Sequence, residues 1–265
     1  MAIENGDFVK IEFTGKVVET GDVFDTTSEE IAKEADIFDD KKSYTPLPII
    51  LGGGHLLEGL DKAIIGLNEG DSKVVTLAPE EAYGDRDQKL VQLMPAKEFK
   101  KQGMTPYPGL QFQAEGHTGR VLTVSGGRVK VDFNNPLAGK TVEYSVVVNK
   151  VLDNDEDKIK SLIQLHYAYP SLDVEKTALN FDGKTVAITL DDITRFDQKS
   201  YMDVTFQRFR IAKDIYENLD YDNVQFVDEF KKPEDKPEDK PEDKSEVKTD
   251  DVAENLEETI ENSEE

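Results

Sequence analysis

Three short stretches hold most of the side chains that could do chemistry: IEFTG at 11–15, LGGGHLLEGLDKAIIGLNEGD at 51–71 and LAPEEAYGD at 77–85. None contains an activated nucleophile, a metal cluster or a phosphate cradle. What they and their neighbours offer is an apolar pocket. Phe13, Phe24, Leu47, Ile49, Leu56, Leu57, Leu60, Tyr83 and Tyr144 are the residues expected in or around it. Taken by composition alone, most would be ordinary core side chains. Two polar features argue for more. Asp25 directly follows Phe24, and Tyr83-Gly84 follows a Pro-x-x-Ala turn. Both sit in expected loops, where buried aromatic rings are not the rule. A dry pocket edged by one carboxylate and one phenol suits chemistry that makes and breaks no covalent bond.

Other chemistries find no support. Gly54 and Gly59 have the spacing of a phosphate loop, but Leu60-Asp61 stands where Lys and Ser or Thr are needed. The dinucleotide pattern fails because position 57 is Leu57. His55, His117 and His166 are scattered, with no HxH, HxxxH or HExxH spacing, so no metal and no cofactor is expected. No Ser lies in a GxSxG elbow, and Cys is absent.

The elements that must position these residues read as follows. Phe8, Ile11, Phe13, Val17 and Val18 alternate as strands, broken by Gly15 and Gly21. EEIAKEADIF is a short helix-like patch in a polar stretch over 28–46. Leu47-Pro48-Ile49-Ile50-Leu51 runs into three glycines. Leu56, Leu57, Leu60, Ile64, Ile65 and Leu67 have helical spacing and predict a short amphipathic helix. KVVTLA at 73–78 is another strand. Residues 87–136 change texture: Leu90, Val91, Leu93, Met94, Phe99, Met104, Tyr107, Leu110 and Phe112 form a loose apolar series, and Gly126-Gly127 marks a hairpin. Thr141 to Val151, with Val142, Tyr144, Val146 and Val148 on one face, is the closing strand of the first sheet. The block 87–136 is then an insertion. Residues 153–157 read as a polar linker. Beyond them a helix at 158–168, a hairpin at Asp182-Gly183, a helical stretch with Met202, Phe206, Phe209, Ile211 and Ile215, and a strand in VQFVDEF make an α+β domain over 155–230.

The net charge is −24, of which 231–265 contributes −9. That segment contains PEDKPEDKPEDK and few apolar residues, so it predicts a disordered acidic tail. The remaining −15 makes the body acidic in its own right. Such a field opposes nonspecific binding to nucleic acid or anionic membranes. The N-terminus lacks a signal-peptide pattern, and no 18-residue apolar run exists, so the expected location is the cytoplasm.

The motifs also carry a resemblance. Phe13-Thr14-Gly15, Phe24-Asp25, Leu51-Gly52, Leu56-Leu57, Gly59-Leu60, Ala82-Tyr83-Gly84 and Tyr144 follow, in order and spacing, the pattern of the FKBP-type peptidyl-prolyl cis/trans isomerases. The insertion, rejoined at Leu137-Ala138-Gly139, is similar to the insert-in-flap domain of SlyD-type members. The added domain at 155–230 is similar to that of the long archaeal type. The resemblance implies an α+β class: an antiparallel half-barrel sheet wrapped on a short helix (1–86 with 137–152), a β-rich flap domain (87–136), a separate C-terminal α+β domain (155–230) and the tail (231–265). It implies rotation of X–Pro bonds in proline-containing peptides and unfolded polypeptides. Asp25, Tyr83 and Phe13 would be catalytic, and Phe24, Leu47, Ile49, Leu56, Leu57, Leu60 and Tyr144 would bind substrate. It implies chaperone activity on a surface of Leu93, Met94, Met104, Tyr107 and Phe112. Leu60 departs from the tryptophan of many members, and the histidine-rich metal-binding tail of SlyD proteins is missing. The alternatives are the same fold acting as a non-catalytic chaperone or scaffold, and a structural subunit forming a homodimer through the C-terminal domain.

Overall fold

The computed structural model describes residues 2–114, 116–167, 172–196 and 201–230. The expected tail at 231–265 lies outside them. Residues 1–228 form one compact unit.

The first sheet is built from β1 (Phe8–Val17), β2 (Val23–Thr26), β3 (Leu47–Ile50), β4 (Ser72–Leu77) and β9 (Val142–Leu152). Its order is β2-β1-β9-β4, with β3 pairing the first half of β1, and every pairing is antiparallel. The period-2 pattern of β9 buries Val142, Tyr144, Val146 and Val148 on one face. Against that face lies α2 (Glu58–Ile64), which presents Leu60 and Ile64. No side chain caps its N-terminus. Glu58 and Asp61 in its first turn complement the helix dipole, and Gly66 at φ 86° follows its end. Burial of a side chain the size of Leu60 contributes roughly 1.5–3 kcal/mol, so packing holds this short helix more than propensity does.

Leu47-Pro48-Ile49-Ile50-Leu51 does not alternate between apolar and polar, and the structure gives the reason. Ile49 and Leu51 enter the core under the first sheet, whereas Ile50 and Phe8 enter a second core on the opposite face. A strand covered on both sides reads as a continuous apolar run.

The cover on that second face comes from the C-terminal elements. These are α4 (Asp155–Tyr167), β10 (Ala178–Asp182), β11 (Thr185–Thr189), α5 (Tyr201–Asn218) and β12 (Asn223–Phe226). Phe8, Ile50 and Leu152 pack with Ile159, Leu162, Ile163, Ile211 and Ile215. Residues 155–157, expected as linker, form the first turn of α4, where three acids favour the helix N-terminus. The small sheet pairs β10 with β11 antiparallel and β11 with β12 parallel. The last strand ends at Phe226, so only the first part of VQFVDEF is extended.

The insertion folds on its own core. Its sheet is β5 (Val91–Pro95), β8 (Arg128–Asp132), β7 (His117–Ser125) and β6 (Gln111–Ala114), in that order. The helix α3 (Ala96–Lys101) supplies Phe99, which packs with Phe112, Val121, Val129 and Val131. Gly126 and Gly127 have φ 56° and 74°, as the tight hairpin requires. The remaining helix, α1 (Glu29–Glu34), is capped by the Ser28 hydroxyl.

Candidate functional site

The site grows from the middle of β1 and from β2. The backbone of Phe13 is clamped by two threonines. Its N–H donates to Thr27 Oγ1 at 2.9 Å, and its carbonyl accepts from the Thr26 and Thr27 hydroxyls at 3.1 and 3.3 Å. Phe24, on β2, stands edge-on to two phenols. Its centroid lies 6.0 Å from that of Tyr83 at 89° and 5.6 Å from that of Tyr144 at 87°. Phe13 completes the group, 6.0 Å from Tyr144. Edge-to-face rings at these separations attract beyond their buried area. Gly15 makes the approach feasible: a Cβ there would sit 2.6 Å from Phe24 and 2.9 Å from Tyr144.

Tyr83 follows the 3-10 turn Pro79–Glu81, and the Gly84 N–H returns to the Pro79 carbonyl at 2.7 Å. The Gly84 carbonyl accepts from the Gly139 N–H at 2.8 Å, tying this loop to the segment that leads into β9. The Tyr83 and Tyr144 hydroxyls are 2.8 Å apart. Burial first, then this hydrogen bond, pushes Tyr144 well above the usual phenol pKa. The Tyr144 phenol therefore stays protonated at neutral pH.

Ile49 and Leu60 lie in the buried floor beneath the rings, and Leu47, Leu56 and Leu57 pack half-buried against the same core. Asp25 stands at the edge with its side chain 45% exposed; its carboxylate accepts from the Thr26 N–H at 3.0 Å and faces Lys42 Nζ at 3.5 Å. Phe13, Asp25 and Leu47 line a cleft of about 750 Å³. The Thr26–Thr27 clamp escaped sequence reasoning, though the FDTT run from Phe24 to Thr27 was its signal.

In the insertion, Met94 and Phe112 line a cavity of about 670 Å³ together with Leu90, Phe99 and Phe133. The other three residues of the expected chaperone surface lie elsewhere. Met104 packs partly buried against the core, and Tyr107 is exposed. Leu93 is exposed and, by strand alternation, faces away from Met94. The sequence reading missed Leu90, Phe99 and Phe133 as cavity walls.

It also missed a partly buried polar cluster. His55, in the loop before α2, lies 6.2 Å from the ring of His166 on α4. His166 Nε2 is 2.6 Å, and His55 Nε2 4.0 Å, from Asp214 Oδ2 on α5. Burial lowers the His55 pKa, opposed by the Asp214 charge, and burial raises that of Asp61. Among the described residues, no group of three or more His, Cys, Asp or Glu is arranged to hold a metal ion. No described helix is long and apolar enough to cross a membrane.

Comparisons with known proteins bear on residues 1–137 and 155–231. Residues 1–100 match the family model "FKBP-type peptidyl-prolyl cis-trans isomerase", 92–137 match "FKBP26, IF domain" and 155–231 match "FKBP26_C-terminal". The short-type peptidyl-prolyl cis-trans isomerase of Methanocaldococcus jannaschii is 38% identical over 149 residues, covering 56% of this chain and 94% of that protein. The FKBP-type isomerase SlyD of Aeromonas hydrophila is 37% identical over 147 residues, or 54% and 61% of the two chains. SlyD of Treponema pallidum is 30% identical over 167 residues, or 62% and 86%.

Proposed function

The chain belongs to the FKBP-type peptidyl-prolyl cis-trans isomerases, and from that premise we propose how its residues turn an X–Pro bond. Rotation is slow because amide resonance imposes a barrier of about 18–20 kcal/mol. The twisted transition state has lost that resonance, leaving its carbonyl less polar and its nitrogen more pyramidal. A pocket walled by Phe13, Phe24 and Tyr144, floored by Ile49 and Leu60, and edged by Leu47, Leu56 and Leu57 favours that state over the planar, well-hydrated one.

The paired phenols supply one outward hydrogen bond. Each hydroxyl carries one proton, so when the more buried Tyr144 donates to Tyr83, the proton of Tyr83 is left for a substrate carbonyl. Asp25 orients the substrate at the pocket edge, where Lys42 holds it between turnovers. No proton is transferred, so loss of either group slows the reaction without abolishing it. The observation that carries this reading is the convergence of Phe13, Phe24, Tyr83 and Tyr144 from four separate segments. Turnover of a proline tetrapeptide by single-site variants tests it.

The insertion at 87–136 serves as a chaperone site. An apolar cavity with Met94 at its wall adapts to varied unfolded segments. Holding a client there raises the effective concentration of its prolines at the pocket. We read 1–86 with 137–152 as the isomerase unit and 155–230 as the third; the matches to 92–137 and 155–231 support that division. A homodimer through the C-terminal elements fits the exposed stripe of Met202, Phe206 and Phe209 on α5. The cytoplasm, without nucleic acid or membrane partners, is the setting that the acidic body favours. The same fold without turnover is the weaker reading, since the relatives above are named as isomerases.

A further inference from the structure

The cleft that holds Phe13, Asp25 and Leu47 does not end at the first sheet. Its opposite wall is Gln164 and Leu165 of α4, with Leu172, Asp173 and Val174 beyond, and its rim is the loop from Lys41 to Pro46. We propose that this cleft is an extended subsite: the client segment flanking the isomerised proline crosses Phe13 and Leu47 and rests on Leu165, Leu172 and Val174. The inference builds on the isomerase reading and assigns the C-terminal elements a direct part in substrate choice.

Three observations carry it. The first is continuity. One space of about 750 Å³, within the usual range for ligand clefts, contains pocket residues and C-terminal residues alike. A segment held at Phe13 and Asp25 therefore meets Leu165 without leaving the cleft.

The second is the state of Leu165. It is half-buried and lines the cleft, while its helix neighbours Leu162 and Ile163 fill the C-terminal core. The third is the rim. Gln164 Nε2 donates to Thr45 Oγ1 at 3.0 Å, fastening the loop to α4, and Lys42 of the same loop reaches Asp25 at 3.5 Å. The loop thus links the proposed catalytic carboxylate to the C-terminal wall.

Charge defines the client chemistry. Lys10, Lys41 and Lys42 line this cleft against Asp25 and Asp173, a local excess of positive charge in a chain of net charge −24. The occupant is therefore an extended client segment carrying an apolar side chain and a carboxylate close to its proline. The surrounding acidic surface repels such a segment elsewhere, so the cleft is where it settles.

The test uses the full chain and NMR exchange on proline peptides. A tetrapeptide is compared with versions extended on either side by residues that include Leu and Glu, or Leu and Lys. The Leu/Glu extension on one side is expected to raise kcat/KM about fivefold over the tetrapeptide, and more than the Leu/Lys extension does. Leu165→Asp is expected to remove that gain, and Lys41→Glu to reverse its charge preference. Leu165→Ser serves if the Asp variant fails to fold, with tetrapeptide turnover reporting the fold. No gain from any extension, or a gain that survives both Leu165 variants, overturns the proposal. So does a null peptide result with altered sedimentation of Leu165→Asp, which would assign the cleft to a second copy. Should the wild type fail on the tetrapeptide, the catalytic reading falls separately; fluorescence anisotropy of the labelled extended peptide, with and without Leu165→Asp, then decides the cleft.

Discussion

The hydroxyls of Tyr83 and Tyr144 lie 2.8 Å apart, joining a loop after β4 to the start of β9. Phe24 stands edge-on to both rings, so the three form one unit rather than separate pocket walls. The arrangement fixes the Tyr83 phenol from behind and leaves the pair one proton to offer. A donor held in place before substrate arrives needs no reorganisation during the reaction.

Gly15 is the tightest point of this arrangement. Gly15→Ala puts a Cβ 2.6 Å from Phe24, in a place closed by Tyr144. Displacing the rings should cost about 1–3 kcal/mol of stability and lower isomerase activity with it. Urea unfolding alongside tetrapeptide turnover checks both, and a fully stable, fully active variant would show that the rings are not confined as described.

Met94 offers a test of the insertion. Met94→Glu places a charge at the wall of the 670 Å³ cavity. It should lower the rate of proline-limited refolding of an unfolded protein about three- to tenfold relative to tetrapeptide turnover, in line with the loss of one apolar contact. Equal losses on the two substrates would remove the division of labour between insertion and pocket.

The pH dependence of stability should follow His55 and Asp61. His55 faces His166 of α4 and Asp214 of α5, with Asp61 of α2 nearby. Its folded pKa is lowered, so below about pH 6.5 the unfolded chain takes up the proton more readily. Stability from this group is present above that pH and is lost as the pH falls. Asp61 has the opposite sign. Its raised pKa helps the fold under acid conditions, and above that pKa the buried charge is a standing cost. The His55 contribution should therefore lower the unfolding free energy as the pH falls from about 7.5 to about 5.5, and His55→Gln should flatten that drop. Asp61→Asn should stabilise the protein at neutral pH. Urea titrations across this range decide it, and a drop that persists in His55→Gln would place its source elsewhere.

Met202, Phe206 and Phe209 share one exposed face of α5. Phe209→Asp should convert a homodimer to monomer in sedimentation velocity runs, with tetrapeptide turnover retained. A wild type that sediments as a monomer at all concentrations would retire the dimer.

Much of this was legible in the chain, for reasons that particular residues make plain. The alternation of Val142, Tyr144, Val146 and Val148 exposes β9, and Gly126-Gly127 exposes the insertion hairpin, because both are local signals. The run from Leu47 to Leu51 was readable as apolar but not as two-sided, since the second cover comes from α4 and α5 far along the sequence. The Tyr83–Tyr144 bond spans 61 positions, and His55, His166 and Asp214 meet only through the packing of the C-terminal elements against the first sheet. No periodicity encodes such meetings. Leu93 and Met94 looked equivalent until strand alternation placed them on opposite faces.

The most direct measurement of the central claim is the cis/trans exchange rate of a proline tetrapeptide, followed by NMR with wild type, Tyr83→Phe and Asp25→Ala. The account predicts clear acceleration by the wild type and a loss of kcat/KM of about five- to tenfold in each variant, the size of one hydrogen bond, with activity remaining. Exchange no faster than in buffer with the wild type, or full activity in both variants, would contradict it.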